Sequence, residues 1–416
     1  MPSTEGLNAR RAALRLLDAV LRRGETLETA GAAIRGLSAP DHALAVAIAG
    51  EALRRLSDID SLIDSATKKR LPDDSKARMV LRLALAQKVG LGTPDHALVA
   101  TALPLVDGGP RRLVHGVLGS LLRKGIAPID APRLPPEVEE RWRTAWGEPV
   151  VLAARRQVAR RPLLDLTFAE DREAEAYAQA NGGRSLASRH VRLPSSSVAD
   201  LPGFGEGRWW VQDLAASVPA RLIPAKAEHV LDLCAAPGGK TMQLAAAGHD
   251  VTAVDASASR LGRLRENLER THLSAELVEA DALSWQPGRQ FDAILLDAPC
   301  SATGTFRRHP EVLYRARPAV IGNNAKLQGK LLDHAAAWLK RGGALVYSVC
   351  SLEPQEGEAV VLSFLSRNTG FHIERPRSLP SFVPISPQGW VRILPGLLET
   401  ECGLDGFFVA CLVRDG

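Results

Sequence analysis

Val230-Leu-Asp-Leu-Cys-Ala-Ala-Pro-Gly-Gly-Lys-Thr241 joins a short apolar run to a glycine pair and then to a segment of helical character. The run has the length of a buried strand. Gly238 and Gly239 allow a tight turn and close approach of the backbone to a ligand, and the amides that open the next helix point toward that ligand. Two familiar readings fail. A phosphate-binding P-loop needs a glycine five residues before the Gly-Lys pair, where this chain has Cys234, and the Gly-x-Gly-x-x-Gly dinucleotide fingerprint is absent.

Further apolar runs follow at residues 251–254, 275–278, 291–296 and 344–347, separated by helical segments such as 261–270 and 326–339. Strands alternating with helices predict a doubly wound, mainly parallel α/β sheet, closed by two late runs at 390–394 and 407–413. In such a sheet the ligand lies beyond the carboxyl ends of the strands. Asp232, Asp255, Asp281 and Asp297 stand at or after successive strand ends. One such acid usually caps the next helix; four in succession predict a nucleoside-type cofactor whose ribose hydroxyls are held by Asp255.

Upstream the pattern is helical from about residue 9 to 124, with a stop at Gly24 and a last helix carrying Val114, Val117, Leu118 and Leu121 on one stripe. Residues 126–136 hold four prolines and read as a linker. Trp142 and Trp146 then share a helix face, and the doublets Arg155-Arg156 and Arg160-Arg161 follow; packing with a solvated basic face is favoured over a dedicated RNA contact. Residues 162–210, with turn clusters Asn181-Gly-Gly183 and Leu193-Pro-Ser-Ser-Ser197, predict a small α+β subdomain.

Composition narrows the class. The chain has 416 residues, 45% hydrophobic and 24% charged, with no apolar run near the roughly 18 residues a membrane span needs. Met1 to Arg11 is polar, unlike a signal peptide, so a cytoplasmic location and, by default, a monomer are expected. Five cysteines without a Cys-x-x-Cys pair suggest neither a disulfide framework nor a zinc site, and no metal is expected. The net charge of +5 rests on 52 basic residues, 42 of them arginine, which suits either a phosphate-rich partner or a genome of biased base composition.

Two cysteines leave the sheet edge near a carboxylate, in Asp297-Ala-Pro-Cys-Ser-Ala-Thr-Gly-Thr-Phe-Arg-Arg-His-Pro310 and Tyr347-Ser-Val-Cys-Ser-Leu-Glu-Pro354. A lone cysteine is more often a small buried hydrophobe. A thiol near helix N-termini and cations can be activated, and Lys240, Arg307 and Arg308 are candidates to supply that field. The residues alone leave open whether Cys300 or Cys350 is the reactive one.

Together, the motifs at 234–241, 297–310 and 348–352 resemble those of the RNA cytosine-C5 methyltransferases of the Sun/Fmu and nucleolar-antigen family, and Gln212-Asp213 and Asp405-Gly-Phe-Phe408 add to the likeness. The N-terminal helices resemble the NusB-like domain of the bacterial branch, which methylates small-subunit ribosomal RNA. The resemblance implies a NusB-like helical RNA-binding domain over 1–126, a small α+β subdomain over 127–210, and a Rossmann-like class I methyltransferase domain over 211–416. It implies S-adenosyl-L-methionine as cofactor, with Cys234, Ala235, Ala236, Pro237, Gly238, Gly239 and Lys240 lining its pocket, Asp255 on the ribose and Asp281 at the adenine edge. Asp297 would lie between methionine moiety and target base, and Arg260 matches a further family position.

Family practice makes Cys350 the nucleophile and Cys300 the residue that assists product release, with Asp297 and Lys240 beside them. The chemistry explains the grouping: cytosine C5 is too weak a nucleophile to take a methyl directly, so a thiolate adds first at C6. RNA, most simply 16S ribosomal RNA with an extruded or single-stranded cytosine, is the implied partner. Val349 stands where the family usually has threonine, and Leu164-Asp-Leu-Thr-Phe168 stands near an expected Arg-x-Asn element. The competing readings are an inactive RNA-binding or ribosome-assembly factor and a methyltransferase for a protein or small molecule.

Overall fold

The computed structural model describes residues 6–194 and 198–416; Met1–Glu5 and the Ser195-Ser-Ser197 part of the second turn cluster lie outside the described residues. Contacts group the chain into two compact units, one reaching Arg160 and including Phe306–Arg317, the other formed by Arg161–Thr305 and Pro318–Gly416.

The first unit is helical: α1 (Leu7–Asp18), α2 (Leu27–Ala32), α3 (Ala39–Arg54), α4 (Leu56–Ser65), α5 (Lys76–Leu91), α6 (Asp95–Ala102), α7 (Gly108–Lys124), α8 (Pro136–Trp146) and α9 (Glu148–Ala159). Local chemistry sets its boundaries. Ser38 and Ser75 accept the amides of Asp41 and Arg78 at 3.2 and 3.3 Å, and Gly24 and Gly92 end their helices at φ of 71° and 64°. Leu17, Ile48, Leu53, Leu81, Leu85, Val114 and Leu118 form the core. Some of the arginine excess is structural: Arg78 is fully buried with Nη1 2.7 Å from Asp64, and Arg82 lies 2.7 Å from Asp60.

The boundaries of the units differ from the expected 1–126, 127–210 and 211–416. The proline-rich stretch is bonded onto α4, with Arg133 N donating to Asp58 at 2.7 Å and Ser57 Oγ to the Leu134 carbonyl at 3.3 Å. Arg155 clamps α9 to α8 through Glu139 at 2.7 and 2.9 Å, so this arginine of the doublets is paired rather than part of the expected solvated basic face. Trp142 is buried 5.5 Å from Phe306. Tyr314 donates to the Leu53 carbonyl at 2.7 Å, and Glu311 accepts from Leu27 N at 3.2 Å. A segment that sequence order assigns to the sheet is thereby part of the helical core.

In the second unit, β1 (Leu164–Phe168), β2 (His190–Leu193) and β3 (Trp209–Val211) form an antiparallel sheet in the order β2-β1-β3, packed with α10 (Asp171–Ala180) through Phe168, Tyr177 and Trp209. The main fold continues with β4 (His229–Leu233), α11 (Gly239–Ala246), β5 (Asp250–Asp255), α12 (Ala258–Thr271), β6 (Glu276–Glu279) and β7 (Phe291–Asp297). After α13 (Val312–Arg315), which lies in the helical unit, come α14 (Pro318–Ala337), β8 (Leu339–Val349), α15 (Glu358–Arg367), β9 (Phe371–Ile373), β10 (Val391–Ile393) and β11 (Phe407–Arg414).

Strands β4 to β11 form an eight-stranded sheet in the order β10-β11-β8-β7-β4-β5-β6, with β9 on β11. β6, β5, β4, β7 and β8 run parallel, and β11 and β10 pair antiparallel at the end, as expected from the alternating runs. Strand order reverses between β4 and β7, the switch point where a crevice opens at the carboxyl edge. Register then decides what meets there: Leu233 aligns with Leu296 and Asp297 with Ser348. Among the described residues no group of three or more His, Cys, Asp or Glu is placed to hold a metal, and no helix is long and apolar enough to cross a membrane.

Candidate active site at the carboxyl edge of the sheet

The loop from Cys234 to Gly239 connects β4 to α11. Cys234 takes a left-handed φ of 59° and Ala235 N donates to the Val254 carbonyl at 3.1 Å, which ties the loop to β5. Gly238 has φ of 106°, and a Cβ there would lie 2.0 Å from Leu264 Cδ1, so only glycine fits between the loop and α12. Asp255 is buried at the end of β5. Its Oδ2 accepts from Ala236 N at 3.2 Å and its Oδ1 from Ser257 N at 3.0 Å. Arg260 completes a brace, with Nη1 3.2 Å from Asp255 and Nη2 donating to the Ala236 carbonyl. The turn that includes Pro237 is thus fixed by backbone and carboxylate contacts, and Asp255 Oδ1 retains acceptor capacity.

Asp281 is exposed two residues beyond β6, where its Oδ1 accepts from Leu283 N at 3.0 Å. Asp232, counted with the other strand-end acids, is placed differently. It lies wholly buried beneath the loop, accepts from Thr241 Oγ1 at 2.6 Å, and its Oδ1 has no partner among the described residues. Burial pushes its carboxyl up to about 7. It supports the loop from below, a distinction that strand-end position alone does not reveal.

Asp297 stands across the switch point. Lys240 Nζ donates to its Oδ2 at 2.7 Å and Ser348 Oγ to its Oδ1 at 2.8 Å. Burial alone would lower the Lys240 pKa, but the charge and hydrogen bond of Asp297 outweigh it and hold the ammonium above its ordinary value. The same ammonium lies 5.5 Å from the Phe407 ring centre.

The two cysteines carried by the following loops meet: Cys300 Sγ is 3.6 Å from Cys350 Sγ. The hydrogen bond to Cys350, followed by burial, pushes the Cys300 thiol well above its ordinary value. Burial pushes the Cys234 and Cys411 thiols up to about 12. Val349 is fully buried in the apolar cluster with Leu345, Tyr347 and Phe408, an environment in which a hydroxyl would need its own partner. Of the cations expected to bias the thiols, Lys240 belongs to this unit; Arg307 and Arg308 fall in the segment grouped with the helices, and Arg307 is buried there.

Backbone contacts lock these loops to the C-terminal strand. Gly304 N donates to the Cys350 carbonyl at 3.0 Å and Gly406 N to the Gly304 carbonyl at 2.9 Å, while a Cβ on Gly304 would lie 2.0 Å from Gly406 O. Asp213 Oδ1 accepts from Ala215 N at 2.9 Å and Asp405 N at 3.3 Å, which joins the two outlying motifs. A further residue escaped the sequence reading. Glu356 is buried and accepts hydrogen bonds from Ser301 and Ser351, the neighbours of the two cysteines. The repeated Cys-Ser dipeptide at 300–301 and 350–351 was the available signal.

Residues 219–413 match the family model described as 16S rRNA methyltransferase RsmB/F, and residues 7–123 match the NusB family. The ribosomal RNA small subunit methyltransferase B of Pseudomonas putida is 33% identical over 98% of this chain and 99% of its own, and that of Pseudomonas syringae pv. tomato is 36% identical over 82% of each. In fold, the crystal structure of PH0851 is similar over 99% of both chains at a TM-score of 0.75 and 24% identity. A methyltransferase homolog protein from Pyrococcus horikoshii gives a TM-score of 0.56 at 27% identity, over 72% of this chain and 98% of that one. A braced cofactor loop, a paired lysine and aspartate, and two adjoining cysteines on a chain so matched along its whole length place it in the 16S rRNA methyltransferase RsmB/F family.

Proposed function

We propose that this protein transfers a methyl group from S-adenosyl-L-methionine to C5 of a cytosine in small-subunit ribosomal RNA, through a covalent bond between Cys350 and C6 of the base. The observation that carries the reading is the meeting of two thiols, 3.6 Å apart, on the same sheet edge as the Lys240–Asp297 pair. A protein that only binds RNA has no use for that combination.

The residues fit the cofactor. The loop from Cys234 to Lys240 offers backbone to its methionine part, Asp255 offers a braced carboxylate to the ribose diol, and exposed Asp281 an acceptor to the adenine edge. S-adenosylmethionine supplies the electrophilic methyl group. Cys350, as thiolate, adds to C6 and converts C4 to C6 into an enamine-like system whose C5 is nucleophilic. Asp297 faces the N3 and N4 edge of the base and stabilises the charge that develops there, and Lys240 fixes its orientation.

After transfer, C5 loses its proton and Cys350 leaves. The 3.6 Å separation from the Cys350 sulfur supports a part for Cys300 in this stage. A base takes the C5 proton, the C5–H electron pair restores the C5–C6 double bond, and the C6–S bond breaks with Cys350 leaving as thiolate, a release that Cys300 assists. The target base must be flipped out or single-stranded, since C6 is inaccessible in a stacked duplex. Ribosomal RNA places the work in the cytoplasm.

The test is bisulfite sequencing of 16S ribosomal RNA from cells with and without the gene, with purified protein and cofactor added back to the deficient RNA. One cytosine protected in the parent, unprotected in the deletion and restored in vitro is expected. Identical protection patterns would contradict the assignment.

A further inference from the structure

Glu356 has no exposed surface, yet its carboxylate receives hydrogen bonds from both cysteine loops. Oε1 accepts from Ser301 N at 2.8 Å, and Oε2 accepts from the hydroxyls of Ser301 and Ser351, each at 2.5 Å. The two hydroxyls are themselves 3.2 Å apart. Ser301 follows Cys300 and Ser351 follows Cys350, so each cysteine is one residue removed from a bond to the same carboxylate. Tyr347 OH donates to the Glu356 carbonyl at 2.5 Å, and Ser351 Oγ accepts from Glu353 N at 3.1 Å, which fixes the carboxylate to β8.

A buried carboxylate is costly unless its lone pairs find donors, and hydrogen bonds to a charged acceptor are stronger than those between neutral groups. A group satisfied by donors from two loops resists any change in their separation. Removal of the carboxylate leaves Ser301 N without its acceptor and lets the two loops relax independently. The cofactor loop makes no bond to Glu356, so a change there should spare cofactor binding.

We propose that Glu356 is a positioning residue that holds Cys300 and Cys350 at their working separation. The proposal rests on the reading of Cys350 as nucleophile and Cys300 as the group for release. It assigns Glu356 no contact with RNA or cofactor; it acts through Ser301 and Ser351.

The experiment measures kcat for methyl transfer to 16S ribosomal RNA and the Kd for S-adenosylmethionine in full-length variants. Glu356→Ala should lower kcat at least tenfold with Kd changed less than twofold. Glu356→Gln, which keeps the length and one acceptor oxygen, should recover part of the loss, whereas Glu356→Asp, one methylene shorter, should not. Because the hydroxyls act through the carboxylate, adding Ser351→Ala to Glu356→Ala should cause no further loss, although Ser351→Ala alone lowers kcat.

Wild-type turnover in Glu356→Ala, or losses that multiply in the double variant, would overturn the proposal. If Glu356→Ala does not fold, Ser351→Ala decides, since it cuts the bridge and leaves Ser301 on the carboxylate: a lower kcat at constant Kd supports the role and an unchanged kcat overturns it. A Cys350→Ala control separates the two readings. An inactive control beside an unimpaired Glu356→Ala removes the positioning role alone, and an active control removes the nucleophile assignment and this inference with it.

Discussion

Lys240 Nζ and Asp297 Oδ2 lie 2.7 Å apart across the point where strand order reverses, one at the start of the helix after β4 and the other at the end of β7. The pair joins the cofactor loop to the loop that carries Cys300. Its lysine is almost fully covered while its aspartate keeps an exposed edge, with side-chain exposures of 11% and 30%. The Asp297 carboxylate is thereby oriented by a buried cation and a serine hydroxyl while one edge stays open to a substrate.

Substitution of either partner should therefore damage catalysis more than binding. Asp297→Asn keeps shape but loses charge, and Lys240→Met leaves a carboxylate without its cation. Each is expected to lower kcat by about 10²-fold or more. Lys240→Met should also destabilise by about 1 kcal/mol, a modest cost because Asp297 keeps a solvent-exposed edge and its bond from Ser348. Single-turnover methylation and urea unfolding report the two effects separately.

Gly238 tests the cofactor loop. Alanine there would need both a left-handed φ of 106° and the space occupied by Leu264. Gly238→Ala is expected to destabilise by about 1–3 kcal/mol and to weaken S-adenosylmethionine binding at least tenfold, read by calorimetry. Leu264→Ala in the same chain relieves the clash but not the backbone strain, so only part of the affinity should return.

Asp232 gives a pH signature. Its folded carboxyl, raised by burial to about 7 from 3.8, binds its proton more tightly than the unfolded one. Its contribution to stability is complete below the unfolded value and is lost as pH rises from about 4 through about 7. Asp232→Asn keeps an acceptor for Thr241 and has no charge to bury. Urea midpoints should show wild type losing stability relative to this variant as pH rises across that window, and parallel curves would contradict the account.

The sheet was legible because its strands are short apolar runs ending in acids, a pattern each segment carries locally. Val251 to Asp255 and Phe291 to Asp297 are such runs. Asp232 and Asp255 both look like strand-end acids, but only three dimensions distinguish an acid under the loop from one at its rim. The bond from Leu27 N to Glu311 spans 284 residues, and nothing in the local pattern of 306–317 signals that it completes a helical core. Glu356 was hidden for the same reason: its partners include Ser301, 55 residues earlier, and a glutamate in a polar loop reads as solvent-exposed until that partner is placed. Arg78 and Arg307 are buried, a placement that composition alone does not reveal. The 42 arginines therefore cannot be counted as an RNA-facing surface.

The division of labour between the cysteines is the central claim, and trapping the covalent complex tests it most directly. Cys300→Ala protein would be incubated with 16S ribosomal RNA and S-adenosylmethionine, denatured, digested, and the modified peptide identified by mass spectrometry. The account predicts a stable RNA–protein adduct on Cys350, because capture survives while release fails, and no adduct when Cys350→Ala is added. An adduct on Cys300 in the Cys350→Ala protein, with none in Cys300→Ala, would contradict it and assign the attack to the other thiol.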